Sequence, residues 1–100
     1  MIDDAPSSDG QRLVEDILIV NRKGLHARAS AHFVRCAEQF DADITVSKDQ
    51  STVGGTSIMG LMMLSAAQGS TIRVTASGPD AKAALAALSE LVASRFGEEE

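Results

Sequence analysis

The sequence predicts an α+β domain in which a four-stranded antiparallel sheet carries helices on one face. Three observations lead there. Segments with period-two alternation of apolar and polar residues recur along the chain, segments with apolar residues every three or four positions stand between them, and the alternating segments are apolar on one side only. A doubly wound parallel sheet would instead bury both faces of its central strands and read as continuous apolar runs. The element order is βαββαβα.

Leu13 to Val20 is apolar and β-branched enough for the first strand, and Asn21 through Gly24 supply a turn. From Ala27 the period changes. Ala29, Phe33, Cys36 or Ala37, and Phe40 lie along one side, with Arg28, His32, Arg35 and Gln39 opposite, so a helix with one buried face is expected. Ala42 to Ser47 alternates as the second strand, and Lys48-Asp49-Gln50 joins it to Ser51-Thr52-Val53 as a hairpin. After Gly54-Gly55-Thr56 comes a short helix over Ser57 to Leu64, expected at the sheet edge. Ile72, Val74 and Ala76 mark the last strand within Ser70 to Ser77. Gly78-Pro79-Asp80 then opens the final helix, with Pro79 at the entrance, where a missing amide donor costs little. Its buried side carries Ala81, Ala84, Leu85, Leu88, Leu91, Val92 and Phe96. Thr45, Ser47, Thr71, Arg73, Thr75 and Ser77 leave the other sheet face wet.

The 100 residues, 44% of them apolar and none of them Trp or Tyr, suit one domain with a small aliphatic core. The formal charge of -5 divides unevenly: residues 1–12 carry -2, residues 97–100 carry -3, and the stretch between balances eight acids against eight bases. The acidic leader 1–12 and the acidic tail 97–100 are therefore expected to be solvated and frayed around a domain at 13–96. No basic stripe or aromatic stacking series suggests nucleic acid. No run of 18 apolar residues suggests membrane insertion, and the N-terminus is acidic where a secretory signal is basic, so the expected location is the cytoplasm. Cys36, without a disulfide partner in the chain, is expected to be a buried thiol.

The chemistry centres on Arg22-Lys23-Gly24-Leu25-His26-Ala27-Arg28. A histidine between a glycine turn and the first turn of a helix, with an arginine two residues on, is equipped to hold an anionic group beside free helix amides. A metal is not expected: His26 and His32 are six apart, and no cysteine or acid completes a recognised ligand spacing. No cofactor is expected either, since Gly54-Gly55-Thr56-Ser57 lacks the lysine and the spacing of a nucleotide loop. His32, on the polar helix side, reads as an exposed residue.

Two separate motifs carry a family resemblance. Gly24-Leu25-His26-Ala27-Arg28 resembles the active-site motif, and Ser57-Ile58-Met59-Gly60-Leu61-Met62 the regulatory-serine segment, of the histidine-containing phosphocarrier (HPr) family of the bacterial phosphotransferase system, including its nitrogen-branch relative. The likeness runs from about Leu13 to Phe96 and takes in Phe40 to Ile44, Gln68-Gly69 and Ser77-Gly78. It implies an open-faced sandwich with sheet order 1-4-2-3, a phosphohistidine at Nδ1 of His26 and a phosphate-contacting Arg28. The implied partners are enzyme I as donor and an enzyme IIA protein as acceptor, with an HPr kinase/phosphorylase acting on Ser57. Spacing alone does not choose between the ring nitrogens. The family's usual proline after the arginine is replaced by Ala29, which loses preorganisation at the first helical turn and keeps helix propensity.

Ser57 on spacing alone is a helix cap. Of the apolar residues that follow, Ile58 and Leu61 are assigned mainly to the core and Met59 with Met62 or Met63 to an exposed docking patch, in which Ile58 also takes part. The expected function is that of a monomeric phosphotransfer intermediate with no small-molecule turnover of its own. The alternative is a regulatory protein-binding module of the same fold, whose phosphorylation state controls a partner.

Overall fold

Alternation in the strand sequences becomes a one-faced sheet through its register. The computed structural model describes residues 12–98, so leader residues 1–11, Glu99 and Glu100 lie outside the described residues. Within that span the order is β1 (Arg12–Leu18), α1 (Ala27–Ala37), β2 (Asp43–Lys48), β3 (Ser51–Gly54), α2 (Ile58–Met63), β4 (Thr71–Ser77) and α3 (Ala81–Ala93), then a single 3-10 turn at Arg95–Gly97. The sheet is antiparallel with order β1-β4-β2-β3.

β4 lies between β1 and β2, and its Ile72, Val74 and Ala76 stand opposite Ile17, Glu15 and Leu13 on one side. On the other side Val74 and Ala76 meet Val46 and Ile44. A slip of one residue in either pairing would turn these side chains to water, so burial enforces the register. The opposite face is exposed and mostly polar, with Val14 and Leu18 of β1 also on it: the Arg73 guanidinium donates to both carboxylate oxygens of Asp16 at 2.9 and 3.3 Å, and Ser47 and Thr52 pair their hydroxyls at 2.9 Å. The Arg73 hydrogen bond and charge hold the exposed Asp16 carboxyl below its ordinary range.

Phe33 and Val34 of α1 and Leu85, Leu88 and Val92 of α3 share one buried cluster with the inward strand residues. Ser89 of α3 donates to the Glu15 carboxylate at 3.0 Å, which gives the acid on the inner face its partner. Asp80 is the N-cap residue of α3. Its carboxylate accepts the Asp41 N–H at 2.8 Å and its own N–H donates to the Asp41 carbonyl at 3.1 Å, tying the loop after α1 to the turn before α3. Pro79 therefore lies in that turn, ahead of the helix entrance expected for it. Among the described residues no helix is long and apolar enough to cross a membrane.

Several local expectations change. α1 ends at Ala37, so Phe40 reaches the core from the following turn, and Cys36 is half-buried at the core margin. Burial still pushes the Cys36 thiol up, which leaves little thiolate. Phe96 is buried, but from beyond the helix: α3 stops at Ala93, and Arg95 and Phe96 take φ of 62° and 56°.

The largest correction is Ile58. α2 settles on Gly60, Leu61 and Leu64, with Leu61 fully buried and Leu64 nearly so. A Cβ on Gly60 would stand 2.9 Å from Val53 Cβ, so the glycine permits this close approach to β3. With the inner stripe set by these three positions, Ile58 falls at its border and is 42% exposed, whereas Met62 is 43%, Met59 71% and Met63 75% exposed. The core assignment of Leu61 stands and that of Ile58 does not. Leu61→Ala is expected to cost about 2–5 kcal/mol and Ile58→Ala about 1 kcal/mol or less, measured by urea unfolding monitored with circular dichroism.

Candidate functional site

The turn between β1 and α1 is held by backbone contacts before any functional side chain enters. Gly24 has φ +66°, and a Cβ there would lie 2.3 Å from the Ala66 carbonyl oxygen. Glycine is required on both counts. α2 closes with Ser65 at φ 55°, after which the Ala66 carbonyl accepts the Leu25 N–H at 2.9 Å. Leu25 is buried, so the chain is pinned one residue before His26.

His26 is the N-cap of α1, with extended backbone, and its carbonyl accepts the Ser30 N–H at 2.8 Å. Its ring makes no capping hydrogen bond. The amides of Ala27, Arg28 and Ala29 precede Ser30, the first i→i−4 donor, so they have no partner within the helix and leave a positive helix end beside the ring. Ser30 is fully buried and donates to the Leu25 carbonyl at 3.2 Å, bracing the turn from inside. Ala29 is also fully buried. A proline there would cost no intrahelical hydrogen bond, but its ring would need room among core atoms.

Glu98 meets the ring. Its Oε2 lies 2.7 Å from His26 Nε2, with the histidine side chain 28% and the carboxylate 15% exposed. Its Oε1 accepts a 3.1 Å hydrogen bond from Asn21 Nδ2, which also donates to the Gly24 carbonyl at 2.9 Å. Asn21 is fully buried, and its Oδ1 has no hydrogen-bond partner among the described residues. Burial pushes the Glu98 carboxyl up. Hydrogen bonds from His26 and Asn21, with the charges of His26 and Lys23, outweigh that and bring it below the ordinary glutamate value of 4.5. With a carboxylate as acceptor, Nε2 carries the hydrogen, and in the neutral ring Nδ1 holds the lone pair.

A shallow depression beside His26 is lined by Lys23, Leu25, Ser65, Ala66 and Ala67. α2 thus runs directly into one wall of the site. Arg28, second residue of α1, is exposed, and among the described residues no ion pair holds it. His32 is half-buried, one turn further on, and its Nδ1 lies 3.4 Å from Arg35. Ser57 caps α2, its Oγ accepting the Gly60 N–H at 3.0 Å. Ile58, Met59, Met62 and Met63 form an outward apolar patch on that helix. Among the described residues no group of three or more His, Cys, Asp or Glu side chains is placed to hold a metal ion.

Sequence reasoning missed Asn21, read only as a turn residue, and Glu98, read as solvated tail. No local signal marks either, because their contact spans 77 positions.

Residues 14–94 match the family described as PTS HPr component phosphorylation site. The chain is 48% identical over 88 residues to the phosphocarrier protein HPr of Neisseria meningitidis, covering 88% of this chain and 99% of that protein. It is 39% identical over 87 residues to the phosphocarrier protein NPr of Shewanella violacea, covering 87% and 96%. The crystal structure of HPr from Thermoanaerobacter tengcongensis superposes with a TM-score of 0.84 at 43% identity, covering 88% of this chain and 99% of that one.

The Glu98 contacts set a pH dependence. A carboxyl whose value is lowered by folding contributes stability that is present above its unfolded value and is lost as pH falls through the folded one. The stability advantage of the parent chain over Glu98→Gln is therefore expected to be fully present above about pH 5 and to shrink as the pH drops below 4.5. Urea unfolding of both proteins from pH 7 to pH 3 measures it.

Proposed function

The chain belongs to the HPr family of phosphocarrier proteins of the phosphotransferase system, and on that premise we propose that His26 accepts a phosphoryl group from phosphoenolpyruvate-charged enzyme I and passes it to an enzyme IIA protein. The carrier works as a cytoplasmic monomer. One observation supports this reading: the His26 ring stands at the N-terminus of α1, partly exposed and unused as a cap, with Nε2 held by Glu98, an arrangement that in the neutral ring leaves the lone pair on Nδ1.

In the accepting step the Nδ1 lone pair attacks phosphorus. The N–P bond forms as the donor's bond to phosphorus breaks, its electron pair returning to the donor. The proton stays on Nε2, so the phosphorylated ring gains positive charge. First-turn amides and Arg28 offset the phosphoryl charge, each by roughly 0.3 to 2 kcal/mol. A carrier must release what it binds, so stronger ground-state holding would deepen a trap and slow the second transfer.

Docking is assigned to α2. Ile58, Met59, Met62 and Met63 offer a flexible apolar surface next to the wall of the histidine depression, and methionine suits contact with two different proteins in turn. Ser57 is the regulatory position, modified by an HPr kinase/phosphorylase. Its exposed hydroxyl stands at the edge of the patch, where a phosphate adds about -1.5 to -2 charges and opposes an apolar or acidic partner.

Incubation with phosphoenolpyruvate, magnesium and enzyme I is expected to place one acid-labile phosphoryl group on the parent chain and on His32→Ala, and none on folded His26→Ala. Arg28→Ala should fold normally and transfer about tenfold more slowly, whereas Arg35→Ala should change little. Labelled protein should then pass its phosphoryl group to enzyme IIA. A stable complex without onward transfer would favour the regulatory module instead.

Ser57→Asp and Met59→Ala should each weaken productive contact with enzyme I, the aspartate through charge and the alanine through lost apolar burial worth about 1 kcal/mol. Raised salt should partly rescue Ser57→Asp and leave Met59→Ala unchanged. Transfer rates measured over enzyme I concentration distinguish them.

A further inference from the structure

The C-terminal segment is built to reach the histidine. After α3 the chain passes through three consecutive left-handed residues, Arg95, Phe96 and Gly97, with φ of 62°, 56° and 79°. Two of these carry side chains that disfavour such a backbone. The reversal is held by the burial of Phe96 in the core and by hydrogen bonds from the Gly97 N–H to the Ser94 carbonyl at 3.2 Å and from the Glu98 N–H to the Arg95 carbonyl at 2.9 Å. A strained reversal that ends with an acid against a ring nitrogen is not what a solvated tail requires.

We infer that Glu98, with its carboxylate steered by buried Asn21, is the positioning residue of His26, holding the hydrogen on Nε2 so that Nδ1 presents the lone pair. This rests on His26 being the phosphoryl acceptor. The two carboxylate oxygens are committed to different donors, Oε2 to His26 and Oε1 to Asn21, and Asn21 is itself tied to the Gly24 carbonyl. Tail, turn and ring are thereby one hydrogen-bonded unit. Glu98 meets the ring at the nitrogen remote from the transfer, so it does not occupy the phosphoryl position. When Nδ1 takes the phosphoryl group, the ring keeps its Nε2 hydrogen and becomes cationic, and the same carboxylate then offsets that charge. Glu98 therefore acts in both steps, orienting the free ring and supporting the loaded one.

The test uses the full chain, its histidines labelled with 15N, as Glu98→Ala and Glu98→Gln. Nitrogen chemical shifts of unphosphorylated His26, recorded with the ring neutral, should show one tautomer in the parent chain. A mixture is expected in Glu98→Ala, with most of the single tautomer regained in Glu98→Gln, whose amide oxygen still accepts. At saturating enzyme I the transfer rate of Glu98→Ala should fall roughly threefold to tenfold, with the half-saturating concentration unchanged. Glu98→Gln should lie between, since it keeps the acceptor and lacks the charge. The same tautomer population and the same saturated rate in folded Glu98→Ala as in the parent would overturn the inference. The nitrogen shifts need no phosphorylation, so failure of the parent chain to label at His26 would overturn the carrier reading and leave the Glu98 contact separately decided.

Discussion

The approach of Gly24 to the Ala66 carbonyl is the constraint on which the site depends. Two chain segments meet there with no space for a Cβ, one following β1 and the other following α2. The adjacent Leu25–Ala66 hydrogen bond and the burial of Leu25 fix where α1 begins. His26 is consequently at an N-cap, and not one turn inside the helix, where its ring would lie along the cylinder and away from the free amides. The same contact brings the end of α2 against the histidine. The outward face of α2 and the His26 ring become parts of one surface through a backbone approach that contributes no chemistry itself.

The outward methionines of α2 follow from economy of packing. Six residues in a helix present one narrow inner stripe, and here Gly60 and Leu61, with Leu64 just beyond, occupy it. Gly60 brings the helix axis close to β3, which fills the space a second apolar row would need. Apolar side chains beyond that stripe face water, and a contiguous exposed apolar patch on a small domain marks a place of contact. The exposure of Ile58 belongs to this geometry. Four side chains then line the patch, where the periodicity of the sequence assigned one of them mainly to the core.

The C-terminal reversal shows how a core residue supports a polar contact at a distance. Phe96 enters the core after the helix has ended, and its burial offsets the unfavourable backbone of Arg95 and Phe96. The chain that emerges points back to the β1–α1 turn, where Asn21 and His26 receive the two oxygens of Glu98. Charge, burial and backbone strain agree at this point: the carboxyl lies below its ordinary value in spite of partial burial because both oxygens have donors.

Period-two and period-3.6 patterns specify which faces are apolar, and those patterns alone carried the four strands, three helices and one-faced sheet. The Gly24-Leu25-His26-Ala27-Arg28 and Ser57-Ile58-Met59-Gly60-Leu61-Met62 segments carried the family likeness because the residues of each motif lie side by side in sequence. Local pattern also placed Ser57 as a cap, since its partner is three residues away. It could not decide the orientation of α2, because Ile58 and Leu61 share a helical side on spacing and only the fit of Gly60 against Val53 displaces one of them. Nor could it join Glu98 and Asn21 to His26. Those contacts span 72 and 77 positions and arise only after the helices have packed and Phe96 has turned the chain back, so the choice of the open ring nitrogen belongs to the tertiary structure.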